Sequence, residues 1–256
     1  MLKARVAIVT GGLQGIGLAI AKELVRQGAH VAIGSRRGDD PEQASAAREV
    51  VGGQGLVAAL DVASTASVAS FVDQVNERLG VPDILINAAG VSVHQVVEGH
   101  SDDDWQNVID INLTGPFKMI RACLPAMKAN GWGRIVNIAS TAARVAEATH
   151  GAYCASKAGL VGLTKAVAKE GGPHGVTSVA ISPGWVETEM LRQSAQKLAA
   201  KSGRTQAEEI AIMIQSNPQN RLIQPEEIAA LAAFCCSDAA AGLTMEDIQV
   251  NAGTLW

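Results

Sequence analysis

The apolar run Val6-Ala7-Ile8-Val9 feeds directly into Thr10-Gly11-Gly12-Leu13-Gln14-Gly15-Ile16-Gly17, after which residues 18–27 carry helical periodicity. A short run without polar alternation fits a strand buried on both faces. Gly11, Gly15 and Gly17 let the chain reverse sharply from strand to helix, because only glycine enters positive φ freely. Gly28 then serves as a C-cap. The same unit repeats along the chain. Further strands are expected at 30–34, 55–60, 84–86, 134–139, 176–182 and 247–250. Helices are expected at 41–51, 68–79, from Ser101 through Asn112 toward Lys128, at 152–169 (ended by Gly171-Gly172-Pro173) and at 225–236. Strands that alternate with helices of this length build a parallel sheet covered on both faces. No linker, low-complexity tract or repeat divides the 256 residues, and a hydrophobic fraction of 48% supplies a sizeable core, so residues 1–256 read as one domain. The stretch 187–217 is polar, alanine-rich and short of core signals.

Composition removes several function classes. The net charge is −4, the basic residues are scattered and aromatics make up 3%, so neither a phosphate-binding stripe nor a stacking platform for nucleic acid is present. Cys123, Cys154, Cys235 and Cys236 form no C-x-x-C pair and complete no zinc pattern; they read as reduced thiols, with no metal. Ser101-Asp102-Asp103-Asp104 reads as a capped helix start, with carboxylates at the positive end of the dipole, rather than as metal ligands. The first apolar run stops at Thr10, too soon for a secretory segment. No stretch reaches the roughly 18 apolar residues of a membrane span. A soluble cytoplasmic protein without nucleic-acid or membrane partners is expected.

The glycine turn fits either an ordinary strand-helix reversal or a pyrophosphate cradle at a helix N-terminus. It does not satisfy G-x-G-x-x-G, and no lysine follows to make an NTPase loop. The second expected strand ends at Gly34-Ser35-Arg36-Arg37, with no acid before Asp39. An acid at that place would bind a ribose 2′-hydroxyl, whereas guanidiniums beside a small hydroxyl suit a 2′-phosphate, which favours NADP(H). Two solvated surface arginines with NAD(H) as cofactor is the alternative. Tyr153 and Lys157, four apart on an expected helix, project from one face. An ammonium near a phenol favours the phenolate and lowers a pKa that otherwise lies near 10, giving an acid-base group. Ser140 follows an expected strand at the edge where open α/β sheets bind ligands, and its hydroxyl can meet a substrate oxygen.

Taken together, these residues resemble the short-chain dehydrogenase/reductase family over essentially the whole chain. The family motif T-G-x-x-x-G-x-G matches residues 10–17, N-x-A-G matches Asn87-Ala88-Ala89-Gly90, and the helix asparagine matches Asn112. The serine matches Ser140, thirteen residues before Tyr153 of Tyr153-Cys154-Ala155-Ser156-Lys157, and the proline-glycine motif matches Pro183-Gly184, with Thr188 following. The resemblance implies a single-domain, doubly wound Rossmann fold of class α/β, with a central parallel sheet flanked by helices. It implies a hydride exchanged between NADP(H) or NAD(H) and a ketone or secondary alcohol. Tyr153 would exchange the proton, Lys157 would lower its pKa and hold the nicotinamide ribose, Ser140 would orient the substrate oxygen, and Asn112 would hold a water linking Lys157 to solvent. Gly11, Leu13, Gln14, Ile16, Ser35, Arg36, Arg37, Asp61, Val62, Asn87, Ala88 and Gly90 would line the cofactor together with Tyr153 and Lys157. Pro183, Gly184, Val186 and Thr188 would seat its carboxamide. A homotetramer is implied, with the segment ending at Trp256 near an interface.

Three places depart from the family pattern. Gly175-Val176-Thr177-Ser178-Val179 stands for G-I-R-V-N, Val250-Asn251-Ala252-Gly253 stands for V-D-G-G, and Gln14 occupies the place of the basic residue that many NADPH users carry in the glycine turn. The substrate pocket is expected around Val93, His94, Thr141, His150, Trp185 and Met190, with 187–217 as a mobile lid; His94 and His150 are alternatively plain loop residues. Rival functions are a 3-oxoacyl thioester reductase, which would show a basic mouth where the lid has Arg192, Lys197, Lys201 and Arg204, and a sugar-nucleotide epimerase, which would carry a longer C-terminal part. The third rival is a non-enzymatic NADP-binding regulator, which would have no need of Tyr153 and Lys157.

Overall fold

In a computed structural model, which describes residues 1–146 and 148–254, seven strands form one parallel sheet. They are β1 (Val6–Thr10), β2 (His30–Ser35), β3 (Leu56–Ala59), β4 (Ile84–Asn87), β5 (Gly133–Ile138), β6 (Val176–Pro183) and β7 (Asp247–Val250). Their order is β3-β2-β1-β4-β5-β6-β7, so the winding direction reverses between β1 and β4. β1 registers Val9 against Ile33 on one side and Ile86 on the other. That reversal opens a crevice at the carboxyl ends of the two strands, the place where such sheets take ligands.

Helices α1 (Gly15–Arg26), α2 (Ser45–Val51) and α9 (Pro225–Cys235) cover one face; α3 (Thr65–Arg78), α5 (Gly115–Ala129) and α6 (Gly151–Gly171) cover the other. Period-two alternation sorts the strand residues between them: Ala7 and Val9 join Ile20, Leu24 and Ile228, whereas Val6 and Ile8 join Phe71, Met119 and Met127. Both faces are therefore core, which explains the unbroken apolar runs. The sheet and its two helix layers form the expected single-domain α/β fold.

Three expected elements differ in extent. The helix expected over 41–51 begins only at Ser45, because the Asp40 carboxylate first accepts from the Glu42 and Gln43 amides and closes a turn. The helix expected to run unbroken from Ser101 is instead α4 (Asp102–Ile109), a wider π turn at Asp110–Thr114, and then α5. Ser101 caps α4 as expected, accepting from the Asp104 amide at 3.1 Å. The π turn has a local cause: the Asn112 side chain bonds the Val91 backbone in both directions, and Pro116 has no N–H to return to the Asn112 carbonyl four residues earlier. The stretch 187–217 is not core-poor. It folds as α7 (Glu189–Ser202) and α8 (Gln206–Gln215) around Leu191, Ala195 and Met213, a small cluster of its own. No helix is long and apolar enough to cross a membrane. The expected interface segment at Trp256 lies outside the described residues.

Candidate active site

A cavity of about 200 Å³ opens at the carboxyl ends of β4, β5 and β6. Ser140, Tyr153 and Lys157 share its wall. Ser140 leaves β5 in extended backbone, and its Oγ accepts from the Ala142 amide at 3.1 Å, which leaves the hydroxyl proton to donate elsewhere. Tyr153 and Lys157 stand one turn apart on α6, with the Lys157 Nζ 5.6 Å from the Tyr153 ring centre. Lys157 is buried, its Nζ donates to the Ile138 carbonyl at 2.7 Å, and burial pushes its pKa down to about 8. Gly90 lies beside it; a Cβ there would stand 3.6 Å from Nζ and 3.4 Å from the Asn112 Oδ1, in ordinary contact with both.

One expectation of the sequence, the direction of the Tyr153 pKa, is corrected by this geometry. Burial raises the Tyr153 phenol above its ordinary value, and only the neighbouring Ser140 hydroxyl pulls the other way. The Lys157 ammonium, 5.6 Å from the ring centre and engaged with a carbonyl, does not offset that desolvation. The Asn112 side chain is fully used by protein: its Oδ1 accepts from the Val91 amide at 2.9 Å, and its Nδ2 donates to the Val91 carbonyl and to Ser156 Oγ, which in turn donates to the Tyr153 carbonyl. Its main-chain carbonyl is denied an α-helical partner by Pro116.

The crevice continues along the sheet edge. Thr10 Oγ1 accepts from the Ala88 and Ala89 amides at 3.1 and 3.2 Å, which ties the glycine turn to the Asn87–Gly90 loop. Gly11 sits at φ +69° with its α-carbon so close that a Cβ would stand 2.7 Å from the Ala89 Cα, and a Cβ on Gly17 would stand 2.5 Å from the Gly11 carbonyl oxygen. At the head of α1, Gln14 makes no side-chain cap and no acid lies in the first turn, so the leading amides face the crevice free of side-chain acceptors. These features fit a dinucleotide pyrophosphate.

Of the residues expected at the cofactor, Ile16, Ala88, Gly90, Tyr153, Lys157, Pro183, Gly184, Val186 and Thr188 line the cavity. Gly11, Leu13 and Gln14 form the turn after β1, Ser35, Arg36 and Arg37 follow or end β2, and Asp61 and Val62 follow β3, outside that wall. Asp39 turns its carboxylate onto the Ala59 amide. Arg36 and Arg37 are exposed, and Arg37 donates to Gln43 Oε1 at 2.5 Å. Val62 spends its side chain in the core against α5, leaving its backbone to any ligand. Asn87 Nδ2 donates to Asn137 Oδ1 inside the sheet.

Of the residues expected at substrate, Thr141, His150, Trp185 and Met190 lie in the wall, whereas Val93 and His94 do not. The Gln95 amide donates to the Thr149 carbonyl, so the two loops run side by side and His94 stacks edge-on against His150 at 4.1 Å. Its Nε2 meets Ser194 Oγ on α7 at 3.2 Å. Burial pushes the His94 pKa down to about 4. Ser92, Ser194 and Thr254 add hydroxyls to the wall and were not singled out by sequence. Ser194 shares a helical face with Met190 and Leu191, a spacing that could have marked it; Thr254 offers no such signal. Among the described residues, no cluster of metal-ligating side chains occurs.

The short chain dehydrogenase family profile matches residues 5–199. D-beta-hydroxybutyrate dehydrogenase of Cupriavidus necator is 37% identical over 94% of this chain and 93% of its own length. The 3-oxoacyl-(acyl-carrier-protein) reductase FabG of Pseudomonas aeruginosa is 36% identical over 98% of each. Among solved structures, a variant of actinorhodin polyketide ketoreductase crystallised with NADPH superposes with a TM-score of 0.93 at 34% identity, over 98% of this chain and 97% of that one. With the serine, tyrosine and lysine on one cavity wall beside a glycine turn, the chain belongs to the short-chain dehydrogenase/reductase family of oxidoreductase enzymes.

Proposed function

We propose that the protein exchanges a hydride between NADP(H), in preference to NAD(H), and a ketone or secondary alcohol, with Tyr153 exchanging the proton. The observation that carries this is the shared wall of Ser140, Tyr153 and Lys157 at the crevice where the sheet reverses. The nicotinamide cofactor, when bound, supplies or accepts the hydride. Ser140, whose Oγ already accepts from Ala142, donates its proton to the substrate oxygen. The Tyr153 phenol, held protonated by burial, delivers a proton to that oxygen in reduction and takes it back in oxidation. The Lys157 ammonium stabilises the phenolate left behind and has donors to spare after Ile138. The Asn112 carbonyl offers the acceptor through which a water would return the proton to Lys157.

Absence of an acid facing the end of β2, with Arg36 and Arg37 exposed there, supports NADP(H). The relative crystallised with NADPH agrees with that choice. The remaining cofactor contacts, from Gly11 to Thr188, follow the crevice. Residues 187–217 act as a substrate lid, since α7 carries wall residues and rests on its own small core. Free cysteines throughout fit the cytoplasm, and a homotetramer follows from the family. A 3-oxoacyl thioester reductase is the second reading, favoured by the Pseudomonas aeruginosa relative. Against it, Arg192 pairs with Glu187 and Arg204 with Glu209, which leaves Lys197 and Lys201 as the lid's basic groups without a carboxylate among the described residues. Loss of reduced-cofactor absorbance across a panel of ketones and one 3-oxoacyl thioester, with NADPH and with NADH, tests both readings. Turnover of no carbonyl with either cofactor would overturn them.

A further inference from the structure

The charge character of the cavity wall restricts what can enter it, and the argument here rests on the carbonyl-alcohol reading of the site. Among the described residues, the ionisable side chains of the wall are His150, Tyr153 and Lys157. Lys157 lies at the tyrosine end and is held by the Ile138 carbonyl. His150 has its Nδ1 on the Ala148 carbonyl at 3.2 Å and its ring against His94, which burial keeps neutral at pH 7. The rest of the substrate side is hydroxyl or apolar: Ser92, Thr141 and Ser194 face Val145, Trp185 and Met190. Ser92 Oγ is buried without a partner among the described residues, a neutral polar group in the wall.

Of the cations nearby, Arg144, Arg192 and Lys201 are engaged elsewhere, and Lys197, near enough to act on His94, lies outside the cavity wall. Arg144 donates to the Asp247 carboxylate at 2.7 Å and to its carbonyl at 2.9 Å. Arg192 pairs with Glu187 at 3.5 Å, and Lys201 donates to the His94 carbonyl. A carboxylate on the side of the wall away from Lys157 would therefore be desolvated with only the His150 imidazole beside it, which a buried charge tolerates poorly. We propose that this site selects substrates uncharged around the reacting carbonyl and rejects short oxo acids.

Ethyl 3-oxobutanoate and 3-oxobutanoate share a skeleton and differ in charge. The expected result is a kcat/KM for the ester at least about 100-fold above that of the acid, as for a site lacking the buried partner a ligand requires. Turnover of the acid within tenfold of the ester would overturn the proposal and leave the oxidoreductase reading standing. Val145→Lys, at an exposed rim position, should raise the acid's kcat/KM about tenfold or more; no gain for the acid counts against the proposal. If neither compound is reduced, calorimetric titration of the cofactor-loaded protein with ethyl 3-hydroxybutanoate and with 3-hydroxybutanoate reads the same preference. Binding of the acid as tight as that of the ester, or no binding of the ester, would overturn it. Failure of every carbonyl to turn over, with the ester still bound preferentially, would sink the hydride-transfer reading alone.

Discussion

Replacing Lys157 with methionine should make the protein more stable and inactive. The lysine is 4% exposed, and its pKa sits at about 8 in place of the ordinary 10.5. At about 1.4 kcal/mol for each pH unit, holding the ammonium there costs the folded state roughly 3 kcal/mol below pH 8. The sign follows from proton binding: between pH 8 and 10.5 the unfolded chain holds the proton that the folded chain has released, so wild-type stability rises with pH across that window. Methionine matches the stem and removes the charge, but it abandons the Ile138 carbonyl, at about 1 kcal/mol. Net, Lys157→Met should gain about 2 kcal/mol at pH 7 and lose that lead by pH 10.5. Urea unfolding at pH 7 and at pH 10, followed by circular dichroism, measures both points. A variant less stable than wild type at pH 7, by the same margin at pH 10, would refute the claim that this lysine is held against its solvation.

The remaining predictions use other parts of the site. Arg36→Ala combined with Arg37→Ala should raise KM for NADPH about tenfold or more with KM for NADH little changed, read in initial-rate kinetics; equal losses for both cofactors would contradict the 2′-phosphate assignment. His94, depressed to about 4 by burial, takes up its proton in the unfolded chain first, so stability should fall as pH drops from 6.5 toward 4. His94→Gln should flatten that part of a melting-temperature series. Gly17→Ala, which sets a Cβ 2.5 Å from the Gly11 carbonyl oxygen, should weaken dinucleotide binding at least about tenfold in a fluorescence titration.

Much of this fold is written in local pattern. Buried parallel strands show as unbroken apolar runs in β1 and over Ile84–Ile86 of β4, whereas β5 and β6 carry buried polar residues, Arg134 and Asn137 in one and Thr177 and Ser178 in the other. The π turn at Asp110–Thr114 is not, because periodicity continues through it and its cause lies in a bond to Val91, twenty-one residues away. Pro116 was the one local sign. In the stretch 187–217, α7 and α8 bury a face against each other and not against the sheet, which weakens the apolar stripe that marks a core helix. The site divides the same way. Ser140, Tyr153 and Lys157 converge because motif spacing and strand edge agree, whereas Ser92 and Thr254 reach the wall by tertiary placement. Spacing also missed the direction of the Tyr153 pKa, since spacing reports proximity of the ammonium and not the desolvation of the phenol.

The central claim is that Tyr153 moves the proton. Tyr153→Phe removes the hydroxyl and keeps the ring against His150 at the cavity wall. With the best substrate of the carbonyl panel, kcat should fall about 100-fold or more while NADPH affinity, measured by fluorescence titration, stays within about threefold of wild type. A variant that keeps more than about a tenth of the wild-type kcat would contradict the assignment.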